Sequence, residues 1–199
     1  MKLLILGCGT SGGVPKVPEF WGACDPLNPK NRRTRASVMV ETDTTRVVVD
    51  TTPDFRQQML RHKVQFLDAV LYSHDHADHT HGIDDLRGFF QKTGSKMPVH
   101  ADSQTLKVLK DRFEYIFEDQ DGYPAICTGN ELSGGFSVGD IHVIPFTQIH
   151  GQGTSVGFRF GDFAYSTDLN KMTDEGFQAL EGVKVWVVDA LRYAPHPTH

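Results

Sequence analysis

One short stretch dictates most of what this chain must become. An apolar run, Ala69-Val70-Leu71-Tyr72, breaks off at Ser73 and gives way to His74-Asp75-His76-Ala77-Asp78-His79. The run reads as a buried strand over residues 68–73. The polar hexapeptide therefore sits at a strand end, where rigid backbone holds side chains in fixed positions. Neutral imidazole and carboxylate are the usual nitrogen and oxygen ligands of Zn, Mn and Fe. In an extended or tightly turning loop, His74 and His76 face one way while Asp78 and His79 turn toward a second point. One segment can thus seed two adjacent metal positions, and the fold must bring further ligands to them from elsewhere.

Around this loop, strand and helix patterns alternate, which predicts an α/β fold. Residues 2–6 read as a strand followed by a glycine-rich loop. Residues 38–42 and 46–50, rich in β-branched side chains, read as a hairpin around Asp43-Thr44-Thr45. Pro53 marks a helix start, with Phe55, Met59 and Leu60 as its buried face. Further helices are expected at 84–91, at 174–180, and as one element over 103–117 carrying Leu106, Leu109, Phe113 and Ile116. Strands are expected at 97–100, 136–138, 141–146, 155–160, 163–166 and 183–189. No repeat, low-complexity tract or linker divides the 199 residues, which are enough for one domain with a sizeable core.

The glycine loop matches two short motifs that its context rejects. Gly7, Gly9 and Gly12 fit GxGxxG, but a dinucleotide site needs a helix to open at once, and Pro15, Pro18, Pro26 and Pro29 forbid a long one. Gly9-Thr10-Ser11-Gly12-Gly13 fits GxSxG, but without the strand-to-helix turn a nucleophilic serine requires. The small residues suit a backbone turn passing close to the active edge. Downstream, two residues stand at strand ends as further candidates. His150 closes the strand-like run from Ile141 ahead of Gly151-Gln152-Gly153, and Asp168 follows Tyr165-Ser166-Thr167. Taken alone, a histidine or aspartate at such a place is more often structural. Asp50, ending its own strand, reads as loop-organising rather than as a ligand. Asp75 and His81 are candidates for orienting a ligand imidazole through its other ring nitrogen. His62, His100 and His142 read as surface or core residues.

The pattern HxHxDH after a hydrophobic strand resembles the metallo-β-lactamase-fold hydrolases. Gly7-Cys8-Gly9-Thr10-Ser11-Gly12-Gly13-Val14-Pro15, Asn31-Arg32-Arg33-Thr34-Arg35-Ala36-Ser37 and Thr80-His81-Gly82-Ile83-Asp84-Asp85-Leu86-Arg87 are similar to the branch that contains phosphoribosyl 1,2-cyclic phosphate phosphodiesterase. The likeness runs over nearly the whole chain. It implies a four-layer αββα sandwich with the metal loops along one edge, and two divalent ions, Zn or Mn. His74, His76, His150 and Asp168 would hold the first ion, and Asp78, His79 and the bridging Asp168 the second. In the family a further histidine reaches the second ion from a later strand. This sequence stops at His199, so the expected fold lacks the last strand and helix. The second position is then one ligand short, and an open sheet edge invites a homodimer. His199 is similar to the family's substrate-side histidine, which touches the phosphate or protonates the leaving oxygen. Members of the branch often carry a cysteine-rich metal site after the glycine loop; with Cys24 alone there, none is expected here.

The implied activity is hydrolysis of a small, cyclic phosphodiester by a metal-bound hydroxide, with Asp78 and His199 as catalytic residues. Other hydrolases share this chemistry, including a tRNA 3′-processing nuclease, a lactonase and a thioesterase, and an inactive metal-binding fragment is a further alternative. A net charge of −5 leans against nucleic acid, since only Lys30, Arg32, Arg33 and Arg35 cluster. Met1 to Gly7 holds too few apolar residues for a secretory core, and no run suits a membrane span. Three scattered cysteines, Cys8, Cys24 and Cys127, fit a reducing cytoplasm better than a disulfide framework.

Overall fold

Alternation along three adjacent strands sets the layers. In β2 (Ser37–Glu41), β3 (Arg46–Val49) and β4 (Ala69–Leu71), Val38, Val40, Val47, Val49, Ala69 and Leu71 face one way. Met39, Val48 and Val70 face the other. Successive strand side chains point to opposite faces, so a sheet apolar on both must be covered on both. The computed structural model, which describes residues 1–194 and 196–199, shows what covers each.

The first sheet runs β1-β2-β3-β4-β5-β6, with β1 at Lys2–Gly7, β5 at Met97–Ala101 and β6 at Cys127–Glu131. Its β1–β2 and β2–β3 pairings are antiparallel and the rest parallel. On one face it buries Phe55 and Met59 of α1 (Phe55–Arg61), Leu106 and Leu109 of α4 (Ser103–Arg112), and Ile116 of α5 (Glu114–Phe117). On the other it meets Ile141, Val143, Val156, Phe158, Phe160 and Tyr165 of a second sheet. That sheet runs β11-β8-β9-β10-β12, with β7 also on β8. Its strands are β7 (Phe136–Val138), β8 (Ile141–His150), β9 (Gly153–Phe160), β10 (Phe163–Ser166), β11 (Lys171–Met172) and β12 (Val185–Val188). Helix α6 (Asp174–Leu180) packs outside on β8 and β9. The result is the expected αββα sandwich. Among the described residues, no helix is long and apolar enough to cross a membrane.

Several expectations need correcting. Leu60 is 62% exposed, because it falls five positions after Phe55, on the far side of α1. Gln58 is buried instead, and its amide donates to Thr34 Oγ1 and the Arg35 carbonyl, tying down the chain before β2. The single helix over 103–117 breaks at Phe113 into α4 and α5. The helix expected at 84–91 is a 3-10 turn, Ile83–Leu86, running into α3 (Arg87–Thr93). β8 continues past Pro145 to His150; the proline falls between the stretches paired with β7 and with β11. β12 pairs with β10 alone, and Val185, Trp186 and Val188 are exposed along it.

The segment carrying the polar hexapeptide is pressed against the β3–α1 connection at Gly82. A Cβ there would meet the Thr52 carbonyl oxygen at 2.1 Å and Phe55 Cβ at 2.7 Å. Gly82→Ala is therefore expected to destabilise the protein by about 2–4 kcal/mol in urea unfolding. At Gly88 in α3 an added Cβ meets nothing within 4 Å. Gly88→Ala should stabilise by about 0.5 kcal/mol in the same measurement.

Candidate metal centre

The polar hexapeptide leaves β4 and turns into a short helix, α2 (Ala77–Thr80), whose Thr80 hydroxyl donates to the His76 carbonyl. The side chains fall into two overlapping groups. His74 and His76 sit beside His150, at the end of β8, with ring centroids 4.5–5.1 Å apart. Asp78 and His79 gather with Asp168, and the His79 ring lies 4.3 Å from that of His74. Gly151, at φ 62°, opens the two-residue turn that ends β8 at His150.

Asp168 is the hub. Its Oδ2 lies 3.6 Å from His74 Nε2, 3.4 Å from His79 Nε2, 3.8 Å from His150 Nε2 and 3.8 Å from His199 Nε2. Its backbone is held at φ 50° and its carbonyl accepts from Ser155 Oγ at 2.7 Å, while Thr167 Oγ1 donates to Oδ1. Asp50 is the other aspartate of the site with left-handed backbone, φ 67°. Such conformations cost about 1–3 kcal/mol and persist where surrounding structure enforces them.

The outer nitrogen of each of four imidazoles is fixed. Asp50, fully buried, accepts from Ser73 N, Ser73 Oγ and His79 Nδ1, the last at 2.7 Å. Ser73 Oγ spends its one proton on Asp50, so it accepts from His74 Nδ1 at 3.0 Å. The Thr198 carbonyl accepts from His150 Nδ1 at 2.8 Å, and Asp189 Oδ2 accepts from His199 Nδ1. All four rings therefore turn Nε2 toward Asp168. His74 Nε2 is buried with no hydrogen-bond partner.

Electrostatics agree with the geometry. Burial pushes the His74 imidazolium down to about 2, aided by the charge of His79 and opposed by Asp168, so this ring is neutral. Burial acts against the His79 proton too, but the charge of Asp50 and hydrogen bonds to Asp168, Asp50 and Asp78 raise it well above the ordinary range. Burial would raise Asp168 and Asp78, yet hydrogen bonding to and the charge of His79 hold both low. These are carboxylates and imidazoles gathered for a cation. Two ligands bound about 2.0–2.2 Å from one zinc at a tetrahedral angle lie roughly 3.3–3.6 Å apart. The spacings from Asp168 to His74, His150 and His199, 3.6–3.8 Å, fall at or just beyond this range and exceed hydrogen-bond length, while that to His79, 3.4 Å, falls within it. Within each of the groups His74, His76, His150, Asp168 and Asp78, His79, Asp168, one potential ligand atom per residue lies within 4.8 Å of all the others. The donor set fits divalent metal at both positions.

All the residues expected to meet here are brought together, His199 included. Asp50 has the organising role expected of it. Asp75 and His81 do not: the Asp75 carbonyl accepts from Arg112, and His81 is exposed, with Nδ1 on Thr80 Oγ1 and its ring edge on Phe113. His62 is half-buried, His100 stacks on Phe136 and His142 is exposed. Cys24 receives Arg33 Nη1 at 3.8 Å, and burial pushes the Cys127 thiol up to about 12. Sequence reasoning missed Asp189 and the Thr198 carbonyl. Asp189 follows directly on β12 as Asp50 does on β3, and that recurrence was a usable signal; a backbone carbonyl carries none.

A cavity of about 780 Å³ opens beside Asp78, His79, Asp168 and His199. The glycine loop forms its opposite wall with Lys16 and Arg33, so this loop does pass the active edge. Asp50→Asn keeps the shape and tolerates the positive φ. Its amide, however, can donate to His79 Nδ1 and select the tautomer with a proton on Nε2. Zn or Mn affinity should fall about 10–100-fold by isothermal titration.

Comparison with known proteins agrees with this fold. A model of the beta-lactamase superfamily domain matches residues 45–199. The crystal structure of a diphosphatase from the PhnP family superposes with a TM-score of 0.89 at 39% identity, covering 99% of this chain and 77% of that one. Zn(2+)-bound PqqB from Methylobacterium extorquens gives a TM-score of 0.74 at 19% identity over 95% of this chain and 72% of the other, a likeness of fold. Among curated sequences, an octanoyltransferase of Porphyromonas gingivalis is 34% identical over 100% of this chain and 41% of its own length. Coenzyme PQQ synthesis protein B of Xanthomonas campestris pv. campestris is 29% identical over 55% of this chain and 40% of its own. The chain thus spans about two fifths of the length of these curated relatives.

Proposed function

This chain belongs to the beta-lactamase superfamily, and on that premise we propose that it is a metal-dependent hydrolase acting on a small phosphodiester, cyclic ones included. The observation that carries the reading is the convergence of imidazole Nε2 atoms on Asp168 Oδ2 at 3.4–3.8 Å beside a cavity of about 780 Å³. His74, His76, His150 and Asp168 would hold one divalent ion, Zn or Mn, and Asp78, His79 and Asp168 a second. A pair of such ions supplies Lewis acidity toward phosphoryl oxygens and toward water at neutral pH.

The protein's own groups do the rest. Asp168 offers an anionic group shared between the two positions and lowers the repulsion between charges held there. Asp78, half-buried at the cavity wall, accepts a hydrogen bond from the attacking water and aims it. Lys16, in the cavity wall, draws the anionic ester toward it. Ser11, Cys8 and Cys24 also line it, but among the described residues no histidine hydrogen-bonds to any of them, so none is activated as a nucleophile.

A small substrate is favoured over RNA because the basic run is committed to internal contacts. Arg32 stacks 4.8 Å over Trp21, Arg33 holds Cys24 and Asn31, and Arg35 pairs with Asp54 at 3.0 Å. The 39%-identical relative, a diphosphatase, likewise points to attack at phosphorus. Protein loaded with Zn or Mn is expected to cleave bis(p-nitrophenyl) phosphate and a cyclic ribose phosphate, and to leave a lactone and a thioester intact. Chelation should abolish turnover and re-addition restore it. Asp168→Ala should lower kcat/KM at least about 10³-fold. Loaded protein that opened the lactone or thioester and spared both phosphodiesters would refute the substrate class.

A further inference from the structure

Among the described residues, two buried side-chain polar atoms lack a hydrogen-bond partner, His74 Nε2 and Gln148 Oε1. A metal ion accounts for the first. The second belongs to β8, where Gln148 stands two residues before His150 on the same face of the strand and is fully buried. An unpaired buried acceptor is costly, so a glutamine at this place calls for a reason.

The amide nitrogen supplies it. Gln148 Nε2 donates to Ser155 Oγ at 3.1 Å and to the Thr167 carbonyl at 3.2 Å, which uses both of its protons. The opposite flip of the amide would set Oε1 against the Thr167 carbonyl oxygen, so the orphaned oxygen is the consequence of this pair of bonds. Ser155 is the cross-strand partner of Gln148 on β9. Having accepted from Gln148, its hydroxyl gives its one proton to the Asp168 carbonyl at 2.7 Å. Thr167, held by its own carbonyl, donates through Oγ1 to Asp168 Oδ1 at 2.8 Å and leaves Oδ2 to face the imidazoles. Gln148 thus braces Asp168, whose φ is 50°, from both its backbone and its carboxylate end. The next residue of β9, Val156, donates from its backbone N to the Ser73 carbonyl at 2.8 Å. Two consecutive residues of one strand therefore tie down the hub and the start of the polar hexapeptide. Gly157 makes room for the amide: a Cβ there would meet Gln148 Oε1 at 2.7 Å and Phe146 Cε2 at 2.3 Å.

We propose that Gln148 is a positioning residue of the metal centre: acting through Ser155 and Thr167, it holds the turn that presents Asp168 Oδ2 to both metal positions at once. The inference rests on the two-ion reading above. A residue that served only the core would be better apolar, since a methionine fills much the same volume and leaves no acceptor unpaired. The glutamine is explained by what its two donors hold in place. Because Asp168 belongs to both groups of potential ligands, loosening it affects both ions together.

The test is Gln148→Met, which keeps length and volume but neither hydrogen bond, studied on the full chain by elemental analysis, isothermal titration with Zn and the visible spectrum of the Co(II)-loaded protein. Wild type should hold two equivalents. The variant should bind both about 10–100-fold more weakly and shift the Co(II) bands, while the metal-free protein unfolds close to the wild-type temperature. Ser155→Ala, which releases the Asp168 carbonyl, should act in the same way. The double variant should fall short of the product of the two single effects, because Gln148 acts in part through Ser155. Wild-type affinities and unchanged Co(II) bands in either single variant, with only the unfolding temperature lowered, would overturn the positioning role and leave Gln148 a core residue. Weakening of one ion alone would overturn transmission through the shared carboxylate. A single equivalent in saturated wild type would overturn the two-ion reading itself, and the role of Gln148 would then stand or fall on the affinity for that one ion.

Discussion

Four imidazoles face a single carboxylate oxygen because each has its outer nitrogen committed elsewhere, and this set of commitments is what the site depends on. Ser73, Asp50, Asp189 and the Thr198 carbonyl come from four separate places in the chain, yet each accepts the Nδ1 proton of one ring. A free imidazole in water samples both tautomers and many ring angles. Fixing Nδ1 selects the tautomer whose Nε2 lone pair points inward and removes rotamer freedom before any ion arrives. The metal-free protein bears the consequence as a cluster of poorly compensated charge, in which His79 is held as the cation against burial and His74 is neutral. Isolated buried ions cost several kcal/mol each, so such a cluster holds together only because the surrounding sandwich is well packed.

The sandwich does this through its strand ends. Asp50 follows β3, Ser73 and His74 follow β4, His150 ends β8, Asp168 follows β10 and Asp189 follows β12. The first two strands belong to one sheet and the last three to the other, so the site spans the edge where the sheets meet. Hydrogen bonds cross this edge directly: Val156 N of β9 donates to the Ser73 carbonyl at 2.8 Å. Displacing one sheet relative to the other would move Asp168 away from His74 and His79 together. Position of the metal ligands and integrity of the inter-sheet core are therefore one property of the molecule rather than two.

How much of this was legible follows from what kind of interaction each part is. β2, β3 and β4 were readable as strands because short apolar, largely β-branched runs are written in side-chain identity, while their arrangement in layers came from the family resemblance. β6 was not, since Cys127-Thr128-Gly129-Asn130-Glu131 has no strand pattern; Gly129 serves to admit Leu106, whose Cδ1 would lie 2.8 Å from an added Cβ. The break of the 103–117 helix at Phe113 left no proline or glycine to announce it. In the site, His74, His76, Asp78 and His79 were visible from local spacing. His150 and Asp168 are isolated polar residues whose convergence depends on chain geometry over tens of residues; their places at strand ends made them candidates, and the family resemblance made them ligands. Asp189 acts through His199, and its one mark in the sequence is its place directly after an apolar strand, as for Asp50 after β3.

Placement of the cavity distinguishes the two candidate positions. Asp78, His79, Asp168 and His199 border it, while His74, His76 and His150 do not. An ion held by Asp78, His79 and Asp168 would therefore be the one open to a substrate in the cavity, and one held by His74, His76, His150 and Asp168 would act on that substrate through the shared carboxylate. Because Asp168 belongs to both groups, whatever shifts its carboxylate shifts both positions at once. The left-handed backbone and the hydrogen bonds from Ser155 and Thr167 that fix Asp168 thus set the relation between the two positions as well as the place of each.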